Sequence, residues 1–218
     1  MFYKGYGMKV TIEELVERYP KLKTEKNDIL KAYEIILECY KRSGKLLVAG
    51  NGGSAADAEH IVGELMKSFA KPRMLTEEFM DQLTDADEKM GKELAHKIQG
   101  SLPAIALGSQ RALSTAYSND VDSSFEFAQE LYGYGSKNDV FFAISTSGNS
   151  KNILYASIVA KAKGMKVIGL TGGSGGQLRE IADVSITVPE TETYKIQEYH
   201  LPIYHWLCLA LEEYFFIN

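Results

Sequence analysis

The apolar positions along this chain change period. Ile29, Leu30, Tyr33, Ile36, Leu37 and Tyr40 recur at helical spacing in TEKNDILKAYEIILECYKRSG and stop before Gly44. Upstream, Thr11 followed by Glu14 has the form of a capping box opening a shorter helix. Two helices are therefore expected within residues 1–44. The pattern then switches to short apolar runs: KLLVAG (45–50), LPAIALG (102–108), DVFFAIS (139–145), MKVIGLTG (165–172) and DVSITV (183–188). Four of the five are nearly continuous in apolar residues, as strands covered on both faces must be, and most intervening segments can hold a crossover helix. The expected fold is α/β, a parallel sheet with helices on both sides, in one domain spanning residues 1–218.

Two segments add to this rhythm. Residues 73–101 carry Leu75, Phe79, Leu83, Met90, Leu94 and Ile98 at mostly helical intervals, with Thr84 and Asp87 resembling a cap. They read as an inserted helix or helical pair with a solvated charged face and no assigned chemistry. The last segment, TYKIQEYHLPIYHWLCLALEEYFF, has more apolar surface than one subunit's core needs, so it is expected to serve the core and a subunit interface together. Pro202 should kink that helix or mark its early turns.

Composition narrows the function classes. An apolar fraction of 45% and a charged fraction of 24% are those of a soluble globular protein, and no apolar run approaches the roughly 18 residues of a membrane span. A net charge of -5 without any Lys/Arg cluster argues against a nucleic-acid surface. The start, MFYKGYGMKVTIEEL, lacks the apolar core of a secretory signal, so the cytoplasm is the expected location. Cys39 and Cys208 lie in apolar helical patterns rather than a CxxC spacing and read as buried reduced thiols.

Strand, then GNGGS (50–54), then helix is an arrangement that turns backbone N–H groups and a helix N-terminus towards an anion, although glycine after a strand is often only a tight turn. A second loop, AISTSGNSKN, also follows an apolar strand and sets Ser145, Thr146, Ser147, Asn149 and Ser150 at the start of a helix. Capping needs one such side chain, whereas five neutral hydrogen-bonding groups suit a phosphate whose charge the helix dipole offsets. A third turn, TGGSGGQL, either borders the same crevice or serves as a flexible connection. The GK[ST] of a Walker loop and the GxGxxG of a dinucleotide fold are both missing.

Beside the first loop, His60 and Glu64 stand four apart and share a helix face. Gln197, Glu198, His200 and His205 fall in the otherwise apolar last helix. Of these, His200 reads as a structural hydrogen bond, Glu198 as solvated, and Gln197 and His205 as site residues. Glu and His beside a phosphate loop suit acid–base work on a sugar phosphate, with Glu taking a proton from carbon and His moving one between oxygens. His60, Glu64, Gln197 and His205 could also ligate one divalent ion, zinc being favoured by imidazole and carboxylate donors. Along a straight helix Gln197 and His205 are about 12 Å apart and turned by about 80°, so convergence needs leaning side chains, a kink at Pro202 or a neighbouring subunit.

GNGGSAADAEHIVGEL, ISTSGNSKN, KGMKVIGLTG and KIQEYHLPIYH together resemble the phosphoheptose isomerases of the sugar isomerase (SIS) domain family, over roughly residues 25–75 and 102–216. The resemblance implies a flavodoxin-like α/β/α sandwich with a five-stranded parallel sheet, assembled as a homotetramer with active sites at subunit interfaces. It implies an aldose–ketose isomerase acting on sedoheptulose 7-phosphate through an enediolate. On matching positions Ser54, Ser145, Thr146, Ser147 and Ser150 would hold phosphate, with the backbone of Gly52 and Gly53 and the Asn149 side chain beside them. Asn51 would contact the sugar, and Asp120, next to Asn119 in SNDVD, would meet hydroxyls. Glu64 would be the base and His205 the acid, Gln197 would touch substrate, and His60, Glu64, Gln197 and His205 would form the zinc set. The 73–101 segment is longer than its counterpart in the family, and Tyr194 stands where an Asp is frequent. The competing readings are a non-catalytic phosphosugar-binding protein, of the regulatory or replication-initiator-binding type, and an isomerase of another phosphosugar.

Overall fold

The computed structural model describes residues 11–216. Residues 1–10, most of the start read above as lacking a secretory signal, lie outside the described residues. Thr11 caps α1 (Ile12–Arg18) by accepting a hydrogen bond from the Glu14 N–H, and a short 3-10 turn leads into α2 (Lys26–Lys41). The five apolar runs form β1 (Leu46–Ala49), β2 (Ala104–Ala106), β3 (Val140–Ile144), β4 (Lys166–Gly172) and β5 (Val184–Val188). Between and after them come α3 (Gly53–Met66), α4 (Glu77–Ala86), α5 (Glu88–Ala95), α6 (Arg111–Asp120), α7 (Glu126–Tyr134), α8 (Lys151–Ala162), α9 (Leu178–Ile181) and α10 (Thr193–Phe215). The sheet order is β2-β1-β3-β4-β5 and every pairing is parallel.

Alternate side chains of a strand point to opposite faces, and here both faces are covered. Leu46, Val48, Phe142 and Leu170 pack against Ile36, Ile61, Leu65, Ile203 and Leu207 from α2, α3 and α10. Leu47, Ala49, Phe141 and Val167 pack against Leu131, Ile153, Ala156 and Leu178 from α7, α8 and α9. Burial on both sides explains the near-continuous apolar runs, and the result is the expected three-layer sandwich.

The 73–101 segment contains a helical pair, α4 and α5. Asp87 is the N-cap of α5, accepting from the Met90 N–H, and Thr76 is the N-cap of α4. The Thr84 hydroxyl instead donates to the Met80 carbonyl inside α4, so the expected Thr84 cap is corrected to Thr76 and Asp87. Phe79, Met90, Leu94 and Ile98, which recur there at mostly helical intervals, are exposed. Pro202 sits in the interior of α10 rather than in its early turns.

Two buried polar anchors hold α10 in place. The Glu212 carboxylate accepts from the backbone N–H groups of Phe69, Ala70 and Lys71 at 2.8, 2.8 and 3.1 Å and from Arg73 Nε at 2.8 Å. Arg73 in turn donates to the carbonyls of Glu64 and Leu65, which the last turn of α3 leaves without helical partners. His200, fully buried, places Nε2 3.3 Å from the Thr171 carbonyl of β4 and so joins α10 to the sheet.

Burial lowers the His200 pKa from 6.5 to about 4. Between those values the unfolded chain binds a proton that the folded chain refuses. Stability is therefore full above pH 6.5 and falls by about 3 kcal/mol as pH drops to about 4. Urea unfolding from pH 7 to pH 4 checks this, and a His200→Gln variant should lose less over the same interval.

Candidate active site

The loops after β1 and β3 lie side by side because those strands are neighbours. Asn51 and Asn152 exchange amide hydrogen bonds of 3.0 and 2.9 Å across them. Ser145 Oγ donates to Ser150 Oγ at 3.0 Å, and Ser147 Oγ accepts from the Asn149 N–H. Gly148 has φ +65°, and a Cβ there would fall 1.9 Å from the Gly175 carbonyl oxygen, so glycine alone is accommodated. The third glycine turn is not a flexible connection: its Gln177 N–H donates to Asn149 Oδ1 and the Leu178 N–H to the Gly148 carbonyl.

Neither helix start uses a side-chain cap. Gly52 precedes α3, and Ser150 precedes α8 without accepting a capping hydrogen bond. The hydroxyls of the second loop therefore serve something other than capping, and both helix starts keep N–H groups available to an anion. These loops, the β2–α6 connection and the 3-10 turn Ser123–Phe125 enclose a cleft of about 580 Å³. It opens at the carboxyl ends of the strands beside the β1/β3 switch in strand order, where open parallel sheets bind ligands. Asn51, Gly52 and Ser150 line it, as do Ser123, Ser124, Glu126, Lys151 and Asn152, which the sequence reading did not single out. Ser124 Oγ is buried without a hydrogen-bond partner. Glu130, also unforeseen, accepts from the Gly108 N–H at the cleft wall, and burial raises its carboxyl pKa.

A second cluster forms where α3 meets α10. His60 Nε2 lies 3.2 Å from Glu64 Oε1, and the His60 and His205 rings stand edge to face with centroids 5.0 Å apart. Lys67 holds the other Glu64 oxygen at 3.1 Å. His205 Nε2 is buried and without a partner. Burial, then the neighbouring His60, lowers the His205 pKa, so the ring is neutral at neutral pH. The arrangement offers a carboxylate, two imidazoles and one uncommitted ring nitrogen.

Comparison with known proteins decides the family. The SIS domain pattern matches residues 11–98 and 93–172. A phosphoheptose isomerase of Leptospira biflexa is 40% identical over 186 residues, 85% of this chain and 83% of that protein. The chain belongs to the phosphoheptose isomerase family of SIS domain proteins. It is an isomerase. A phosphoheptose isomerase structure from Francisella tularensis superposes with TM-score 0.74 at 31% identity, covering 92% of this chain and 94% of that one. One from Neisseria gonorrhoeae gives 0.72 at 30% identity, with the same coverage.

The residues expected from the phosphoheptose isomerase motif fall on the loops after β1 and β3 and on α3, α6 and α10. Ser145, Thr146, Ser147, Asn149 and Ser150 share one loop, and Asn51, Gly52, Gly53 and Ser54 form the neighbouring one. Asn119 and Asp120 end α6, exposed and hydrogen bonded to each other, and neither lines the cleft. Of the expected substrate-binding residues, Asn51, Gly52 and Ser150 line this cleft; Asn119 and Asp120 lie at the end of α6, before the Ser123–Phe125 turn that makes its wall. Gln197 meets α3 at Gly53, where a Cβ would fall 2.5 Å from its Nε2, whereas His205 meets α3 at His60, about two turns further on.

Of the four expected metal donors, His60 lies beside Glu64 and its ring packs on His205, while Gln197 is held apart. Among the described residues no group of three or more His, Cys, Asp or Glu side chains is arranged to hold a metal ion. The donor chemistry nevertheless suits zinc, since His205 Nε2 is unpartnered and the His60 and Glu64 donor atoms face each other. Glu198 is exposed, and both cysteines are free and buried, as expected. No helix among the described residues is long and apolar enough to cross a membrane.

Proposed function

We propose that the protein interconverts sedoheptulose 7-phosphate and D-glycero-D-manno-heptose 7-phosphate through an enediolate. The observation that carries this reading is the Glu64 carboxylate set beside His60 and the uncommitted His205 nitrogen, on the helix whose first residues belong to the phosphate-sized loop. The hydroxyls of Ser145, Thr146, Ser147 and Ser150, with the helix starts and Lys151, hold the phosphate. Glu64 removes the proton from carbon 1 of the ketose. The His205 ring donates a hydrogen bond to the carbonyl oxygen O2 as it becomes the enediolate oxygen, gives O2 that proton and takes one from the hydroxyl O1, and Glu64 returns its proton to carbon 2, so that O1 becomes the aldehyde oxygen of the aldose. A neutral imidazole can polarise a carbonyl in this way, as triosephosphate isomerase does.

Zn2+ is part of the proposal: His60, Glu64 and His205 would hold it, and Gln197, set apart beside Gly53 in this chain, would complete the set only from another copy. When bound it would act as a Lewis acid on the sugar oxygens, in place of the His205 hydrogen bond.

The active site is shared between copies of the chain, in a homotetramer. Ala55 and Glu59 of α3, with Asn51 of the loop before it, line the phosphate cleft, while His60, one residue past Glu59 and about 100° further round the helix, faces α10. One copy's cleft paired with another's acid–base cluster accounts for that division. A mainly apolar groove of about 360 Å³ between α1 and α10, bordered by His205 and Trp206, supports an interface there. A phosphosugar substrate and buried reduced thiols go with a cytoplasmic location.

Incubating the protein with sedoheptulose 7-phosphate and, in parallel, with fructose 6-phosphate and an amino-hexose 6-phosphate tests the substrate. Heptose conversion that falls on adding a chelator supports both parts of the proposal. Binding of all three without conversion of any would favour the phosphosugar-binding reading. Ser150→Ala should raise KM about tenfold, the value of one hydrogen bond to a charged group. Ser150 caps nothing but accepts from the buried Ser145 hydroxyl, so its thermal midpoint should fall by only a few degrees, the loss of that one hydrogen bond.

A further inference from the structure

We infer that Tyr204 is a positioning residue for the isomerase, fixing which ring nitrogen of His60 faces Glu64. The inference rests on the reading of His60 and Glu64 as site residues and extends it to side chains far apart in sequence. Tyr204 is 1% exposed, on α10 directly before His205. Its hydroxyl donates to Asp57 Oδ1 at 3.1 Å and lies 3.1 Å from His60 Nδ1. Asp57 and His60 are on α3, so one phenol bridges two positions of the helix that carries Glu64.

A phenol has one hydrogen, and a carboxylate oxygen only accepts. With that hydrogen committed to Asp57, Tyr204 Oη can only accept from His60, so Nδ1 carries the ring hydrogen. Nε2 then faces Glu64 Oε1 at 3.2 Å, and because the carboxylate oxygen only accepts, whatever bridges the two, a proton or a cation, sits on Nε2. Nδ1 keeps its hydrogen whatever Nε2 binds. The nitrogen that gains or gives up a positive partner is thus always the one beside Glu64. Asp57 Oδ2 is buried and has no partner, which leaves the Tyr204 hydroxyl as the donor that orients this carboxylate. The Tyr204 and His60 rings also meet edge to face with centroids 5.5 Å apart, so packing and hydrogen bonding fix the same ring orientation.

The test is Tyr204→Phe, which keeps the buried ring and deletes both hydrogen bonds, read by the nitrogen-15 spectrum of the histidine rings and by kinetics. Wild type should show His60 with hydrogen on Nδ1. The variant should show a mixture of ring forms, with kcat for the phosphosugar down about tenfold or more and KM within about twofold, the scale of loss when a partner that orients a histidine is removed. Asp57→Asn is the second variant: its amide can donate to Tyr204 Oη, turning the phenol hydrogen towards His60 Nδ1 and moving the ring hydrogen to Nε2. An unchanged His60 spectrum in both variants overturns the inference whatever the rates do. If wild type converts no phosphosugar, the proposed function fails, while the spectra still decide the role of Tyr204.

Discussion

Glu64→Gln lowers kcat by about three orders of magnitude and leaves phosphosugar affinity within a few-fold of wild type. Glutamine keeps the size of the side chain and can still face His60 and Lys67, so the fold and the phosphate loop stay in place. It cannot accept a proton from carbon. A uniform-binding role would appear as a raised KM with kcat unchanged, whereas the loss expected here falls on kcat and on kcat/KM together. Steady-state kinetics with a separate binding measurement tells the two apart, and turnover near wild type would remove Glu64 from its role as base.

The largest stability effect is expected at Glu212. Glu212→Ala leaves the buried Arg73 guanidinium without its carboxylate and removes the acceptor of three backbone N–H groups. Breaking a buried pair on one side costs about 3–5 kcal/mol, far more than any of the exposed pairs on this surface contributes. Because Arg73 also holds the Glu64 and Leu65 carbonyls, the end of α3 should loosen, and hydrogen exchange there should rise first. Urea unfolding gives the magnitude. A loss below about 1 kcal/mol would mean that water replaces the carboxylate.

The sheet was legible in the sequence because β1, β3 and β4 are covered on both faces, and burial on both faces writes itself as consecutive apolar residues. The polar loop after β3 stood out because five polar residues in six exceed what a helix start needs. The three-way contact of Asp57, Tyr204 and His60 was not, since a tyrosine in an apolar helix reads as core and its partners lie well over a hundred residues away. Arg73 and Glu212 were hidden for the same reason: in sequence each is an ordinary charge, and only the packing of α3 against α10 shows that both are buried. The third glycine turn misled in the other direction. Its glycines suggested flexibility, whereas a Cβ at Gly176 would fall 2.5 Å from the Ser147 carbonyl oxygen, so the turn is packed tightly against the β3 loop. Lys151 was passed over because the reading looked for clusters of basic residues, and a single lysine after a serine loop is not one.

A crystal structure of Glu64→Gln with sedoheptulose 7-phosphate bound tests the whole account most directly. The phosphate should lie on the hydroxyls of residues 145–150 at the start of α8, with carbons 1 and 2 against position 64 and His205, whichever copy of the chain supplies them. Phosphate bound away from that loop, or a sugar whose reactive carbons face neither side chain, would contradict it.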